Sequence, residues 1–165
     1  MLAGASHSAQ AQRGGGGGRR GGSDRESGKR SSAPEIPAAT EIDKLDPIAM
    51  LVSNQKDLEL SPETLGKLSE IDSDLMRGTK ASLAVVDSLR STIKAAAESP
   101  DSRGAVRESM NAYNRTVADI RSQHADAGKK ALELLSGEPR KKAEKMLEER
   151  RTDFDKVTKT RPTDM

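Results

Sequence analysis

The 165-residue chain carries 28 Lys and Arg against 26 Asp and Glu, with 33% apolar residues and 1% aromatic ones, the rings being Tyr113 and Phe154. A compact globule of this length buries several aromatics for their large apolar area, so the composition points to long helices burying narrow stripes rather than to a ball. The lack of cysteine removes disulfides, thiolate metal sites, thiol nucleophiles and a lipidated N-terminal cysteine, and no run approaches the roughly 18 apolar residues of a membrane span.

The first eleven residues read as the end of a secretory signal peptide. Ala9-Gln10-Ala11 has the small-x-small pattern of a cleavage site and follows the small-residue stretch Leu2-Ala3-Gly4-Ala5. A positive n-region and most of an apolar h-region do not precede it. On this reading the mature protein begins near Gln12 and is exported; the alternative is a flexible Ala/Ser terminus.

Residues 12–45 form an arm: Arg13, five glycines, Arg19-Arg20, Gly21-Gly22, a Ser/Arg/Lys/Glu stretch, then Pro34 and Pro37. Such a segment buries too little apolar surface to offset its conformational entropy, which predicts disorder. Residues 1–40 hold six basic and three acidic groups, leaving 22 basic and 23 acidic ones in the body. A body of mixed sign has no field to gather nucleic acid or anionic membrane. The Arg-Gly run lacks the interleaved aromatics of single-strand binders and reads as a tether, so nucleic acid is not the expected partner.

From Asp46 onward, four pairs punctuate the chain: Asp46-Pro47, Ser61-Pro62, Ser99-Pro100 and Glu138-Pro139. Proline suits the first turn of a helix, and Asp or Ser before it is a good N-cap. The pairs predict helices over 47–58, 62–98, 102–135 and 138–158, a flexible tail over 159–165, and no strand. In the second helix the apolar stripe runs Leu65, Leu68, Ile71, Leu75, Thr79, Leu83, Val86, Leu89, Ile93 and Ala97, about 3.6 residues per step. In the third, Val106, Met110, Tyr113, Val117, Ile120, His124, Ala127, Ala131 and Leu134 step 4-3 throughout, the seam of a coiled coil. Ala143, Leu147, Arg150, Phe154 and Val157 repeat it in the fourth. The short link around Ser99–Asp101 sets the two long helices antiparallel. The expected fold is all-α: an elongated antiparallel hairpin with two short flanking helices, its uncovered seam ends completed by a second copy in a homodimer.

Two segments place Leu-Ser-x-Glu at a helix start: Leu60-Ser61-Pro62-Glu63 and Leu135-Ser136-Gly137-Glu138, the second followed by Pro139 and Arg140. Locally, Ser caps free backbone N–H groups and Glu complements the positive end of the helix dipole. Spanning roughly residues 46–155, this layout resembles the Spy/CpxP-like family of periplasmic proteins, marked by an LTxxQ motif that occurs twice at helix starts. Here Ser61 and Ser136 stand where that motif has Thr, and Thr64 and Pro139 where it has Gln. The resemblance implies a hooked helical hairpin that dimerises into a cradle and acts as an ATP-independent chaperone or envelope-stress adaptor, with unfolded or envelope proteins as partners and no cofactor. The alternatives are a structural coiled-coil module docking on one envelope partner, and a metal-sensing relative of the same family.

Met50, Met76, Met110 and Met146, one on each helix, are candidate client contacts because flexible thioethers adapt to varied surfaces; the plainer reading is core and rim packing. His124 is the single metal candidate, alone on the seam with Asp119 and Asp126 nearby in sequence, and a seam histidine is ordinarily a polar core residue. No catalytic constellation emerges. The glycines at 14–18 follow no strand and form no phosphate cradle. Carboxylates such as Glu144 and Glu148 sit one turn from basic residues, as on a solvated, ion-paired face.

Overall fold

The computed structural model describes residues 34–99 and 101–159. The expectations for the signal remnant, most of the arm, Pro100 and residues 160–165 lie outside these. Five helices follow in order: α1 (Ala39–Asp43), α2 (Pro47–Ser53), α3 (Pro62–Ala97), α4 (Arg103–Glu133) and α5 (Gly137–Thr158). There is no strand among the described residues. The fold is all-α, and α3 and α4 pack along one another as the expected hairpin. At about 1.5 Å per residue these two helices run roughly 54 and 46 Å.

The helix starts follow local chemistry. Asp46 caps α2, its carboxylate accepting the N–H groups of Ile48 (2.6 Å) and Ala49 (3.0 Å), with Pro47 in the first turn. Ser61 caps α3 by accepting the N–H of Thr64 at 3.1 Å, and Glu63 pairs one turn on with Lys67 at 2.7 Å. At α4 the cap is Ser102 rather than Ser99, and its hydroxyl turns backward to donate to the carbonyls of Ala96 and Ser99, closing the hairpin link. Ser136 departs from expectation: no side-chain bond caps α5 there. Gly137 follows it at φ +60°, a left-handed step that a side chain resists and that redirects the chain between Ser136 and the helix.

Burial reproduces both seams. Leu68, Leu75, Thr79, Val86 and Ile93 are buried on α3; Tyr113, Val117, Ile120, Ala127 and Ala131 face them from α4. Thr79 is tolerated because its hydroxyl donates to the Leu75 carbonyl at 2.9 Å. One hydrophobic cluster gathers Ile48, Leu51, Leu58, Leu68, Leu75, Ala127, Ala131, Leu135 and Ala143. The other gathers Val86, Ile93, Tyr113, Val117, Ile120 and Phe154 with Ile36, Ala39, Ile42 and Leu45.

Those last four residues correct the sequence reading, which places 34–45 in a disordered arm and counts four helices. They recur every third position and pack against α3 and α5, in one cluster with the α4 seam. Two polar ties fix them: the Ala39 N–H donates to Asp87 Oδ1 (2.9 Å), and Arg90 Nε donates to the Ile36 carbonyl (3.0 Å). The composition of the arm hides this short apolar ladder, whose order comes from its partner surface.

The helix expected over 47–58 ends at Ser53. Turns carry the chain to a left-handed Glu59 (φ 51°), where Leu60 N–H reaches the Gln55 carbonyl and Glu59 N–H the Lys56 carbonyl. This paired pattern strongly favours glycine at the left-handed position. Glu59→Gly is therefore expected to raise the unfolding free energy by about 0.5–1 kcal/mol, the relief of strain outweighing the added chain entropy. Urea unfolding measures it; a lower midpoint would count against strain at Glu59.

Candidate functional site

On α4, beside the seam, Ala118, Ser122, Ala125, Lys129 and Leu132 step 4-3-4-3. Four of the five are short or end in a flexible cation, so this second stripe leaves space where α5 lies alongside. The result is a groove of about 620 Å³ between α4 and α5, floored by Leu45 and Pro47 and walled on the α5 side by Leu147 and Phe154. Its volume falls in the range of ordinary ligand sites. A shallower depression of about 330 Å³ lies along α5 alone, from Lys145 to Lys156, and has no second wall.

The rim of the groove is charged and mixed in sign. Arg121 bonds Asp155 at 2.7 Å, and Arg151 pairs with Glu148 at 3.4 Å. Glu144 accepts from Arg140, and Lys129 reaches Asp126. Arg150 differs: its Nε donates to Met50 Sδ at 3.4 Å, and it has no carboxylate partner among the described residues. Exposed pairs of this kind contribute little to stability. Their long stems extend the apolar floor while the heads stay wet.

His124 sits at the back of the groove, its ring edge-on to Phe154 at 5.3 Å and 68°. Burial holds its pKa below the usual histidine value, while the charges of Asp46 and Asp43 pull the other way. The carboxylates acting on it thus come from the α1–α2 junction, not from Asp119 or from Asp126, which is paired with Lys129. Asp72 on α3 joins the same neighbourhood: burial, then Asp46, then Asp43, push its carboxyl above the ordinary range. No group of three His, Cys, Asp or Glu side chains among the described residues is arranged to hold a metal ion.

The remaining sequence candidates fall elsewhere. Leu135 is buried in the cluster against which Leu60 packs, so the two Leu-Ser starts meet at one end of the hairpin. Lys142 Nζ ties them further by donating to the Asp57 carbonyl at 3.1 Å. Ser61, Glu63, Ser136, Glu138 and Arg140 lie exposed around that end, Glu138 bonded to Lys141 and Arg140 to Glu144. The four methionines do not form one patch. Met50 and Met146 pack against this cluster and Met110 against the other; Met76 alone is exposed, at 55%, on the outer face of α3. The groove itself escaped the sequence reading, although the 4-3 recurrence of small residues beside the seam was the signal for it.

One more buried group lies close by. Tyr113 is fully buried, its hydroxyl has no hydrogen-bond partner among the described residues, and burial, with Glu41 adding, pushes its pKa up to about 12. An unmade bond of this kind is costly, whereas phenylalanine keeps the ring's packing. Tyr113→Phe is expected to raise the unfolding free energy by about 1 kcal/mol, read from the denaturant midpoint at unchanged m-value. Destabilisation would mean that the hydroxyl is satisfied in solution.

No protein-family model, no curated protein and no solved structure matches this chain.

Proposed function

We propose that this protein is an exported, ATP-independent chaperone or envelope-stress adaptor that holds apolar segments of unfolded or partner proteins on its helical surface, working as a homodimer and without catalysis. The observation that carries this reading is the groove between α4 and α5: an apolar floor open to solvent under a charged rim of both signs. Such a surface makes many weak contacts and selects no particular side chain, as binding to varied unfolded chains requires. Further support is the layout of the two Leu-Ser helix starts, which resembles the Spy/CpxP-like pattern.

The test is suppression of aggregation of several unrelated unfolded proteins without nucleotide, compared with Ala125→Arg. Ala125 is exposed in the groove wall, so arginine fills the groove without touching the core. Suppression by the wild type and its loss in Ala125→Arg are expected. Failure on every client, with tight binding to a single envelope protein, would favour instead the structural module that the heptad seam of α4 also fits.

A further inference from the structure

Residues 36–45 run as a strap against α3 and α5, with Ile36, Ala39, Ile42 and Leu45 at three-residue steps in one cluster with Val86 and Ile93 of α3, Tyr113, Val117 and Ile120 of α4 and Phe154 of α5. Its one helix, α1, has five residues, too few to persist alone. The order of the strap is therefore supplied by the face beneath it. That face contacts the strap in a way that ignores most side-chain identity. Asp87 accepts a backbone N–H and Arg90 donates to a backbone carbonyl, while the rest is apolar burial. Any segment with apolar residues at i, i+3, i+6 and i+9 meets the same requirements.

Two further observations distinguish the strap from settled core. Tyr113, buried in the same cluster near Glu41 of α1, has a hydroxyl without a hydrogen-bond partner among the described residues, a polar group that is costly to keep covered. The covered face is also continuous with the open groove, because Leu45 and Phe154 belong to both. Lifting the strap would lengthen the groove toward the hairpin turn.

We propose that the face of α3, α4 and α5 under residues 36–45 is an interaction surface for apolar segments of other polypeptides, and that the strap is its displaceable occupant. This rests on the chaperone reading and adds to it a site and a form of self-regulation. The strap limits binding to the fraction of molecules in which the face is free, so loosening it tightens the apparent affinity in proportion.

The experiment uses the full chain and the double variant Asp87→Ala/Arg90→Ala, which removes both polar ties from exposed positions of α3. Hydrogen exchange follows residues 36–45 against the hairpin. Two fluorescent probes report binding: a peptide of residues 34–47 of this chain, and reduced, carboxymethylated lactalbumin as a permanently unfolded client. Exchange in the strap is expected to accelerate about tenfold with the hairpin protected, and both probes to bind the variant about five- to tenfold more tightly. Faster exchange with no tighter binding of lactalbumin would overturn the proposal. If the double variant leaves the strap protected, Ile42→Asp is read in the same way, and protection in that variant too would mark the strap as fixed core and end the idea. If the wild type binds lactalbumin and the released variants bind it no better, only this inference fails. If none of them binds it, the chaperone reading fails as well.

Discussion

Ile120→Ala is expected to lower the unfolding free energy by about 3 kcal/mol and the thermal midpoint by about 10 °C. Ile120 is fully buried on the α4 seam, in the cluster that joins Val86 and Ile93 of α3 to Ile42 of the strap and Phe154 of α5. Truncation removes three carbons from the one place where four elements converge. Long helices cannot bend locally to refill such a gap, so the cavity term adds to the lost transfer energy. Val85→Ala, at a position 45% exposed on α3, is the control and is expected to change stability by less than about 0.5 kcal/mol. Similar losses at both positions would mean that the hairpin packs along a different seam.

The hairpin was legible because its information is periodic and long. The 4-3 pattern of α4 runs from Val106 to Leu134, and Tyr113, Val117, Ile120, Ala127 and Ala131 are buried where it places them. Proline after a capping residue located the starts of α2 and α3 because both depend only on local backbone chemistry. After the Ser99-Pro100 pair the helix expected from 102 begins at Arg103, and the hydroxyl of its cap Ser102 turns back to the carbonyls at the end of α3. The strap was illegible for a different reason. Four apolar residues at three-residue spacing, one of them adjacent to Pro37, are too short a signal inside a Gly/Ser/Arg-rich stretch, and their burial depends on a face assembled from residues about forty or more positions away.

The candidate site was partly legible. His124 stood out as the polar residue in an apolar seam, and the structure sets its ring edge-on to Phe154 of α5. Its electrostatic neighbours did not follow from the sequence, because Asp43 and Asp46 approach through the tertiary fold rather than along α4. The groove depends on what is missing from the second stripe of α4. Ala118, Ser122 and Ala125 do recur there at 4-3 spacing, but a search for large apolar side chains passes over them.

Phe154→Ala is expected to be the most damaging single change in the groove, costing about 4 kcal/mol at pH 7. Phe154 is 3% exposed and serves both the strap cluster and the groove wall. It also supplies the ring against which His124 is buried. The pH dependence should therefore change with it. Because the folded state binds the His124 proton less readily than the unfolded chain, this residue contributes stability that is complete above the ordinary histidine pKa of about 6.5 and is lost as pH falls through it toward the lowered folded value. Asp72 acts with the opposite sign: its raised carboxyl contributes stability that is complete below its ordinary value and is lost as pH rises through the raised one. Measured in an Asp72→Asn background, stability should fall between pH 7 and pH 5 in the parent and stay level in His124→Gln. In Phe154→Ala the fall should shrink, since water reaching the imidazole removes the burial that opposes its charge. An acid loss of equal size with and without the Phe154 ring would show that the histidine is desolvated by α4 and its own neighbours alone.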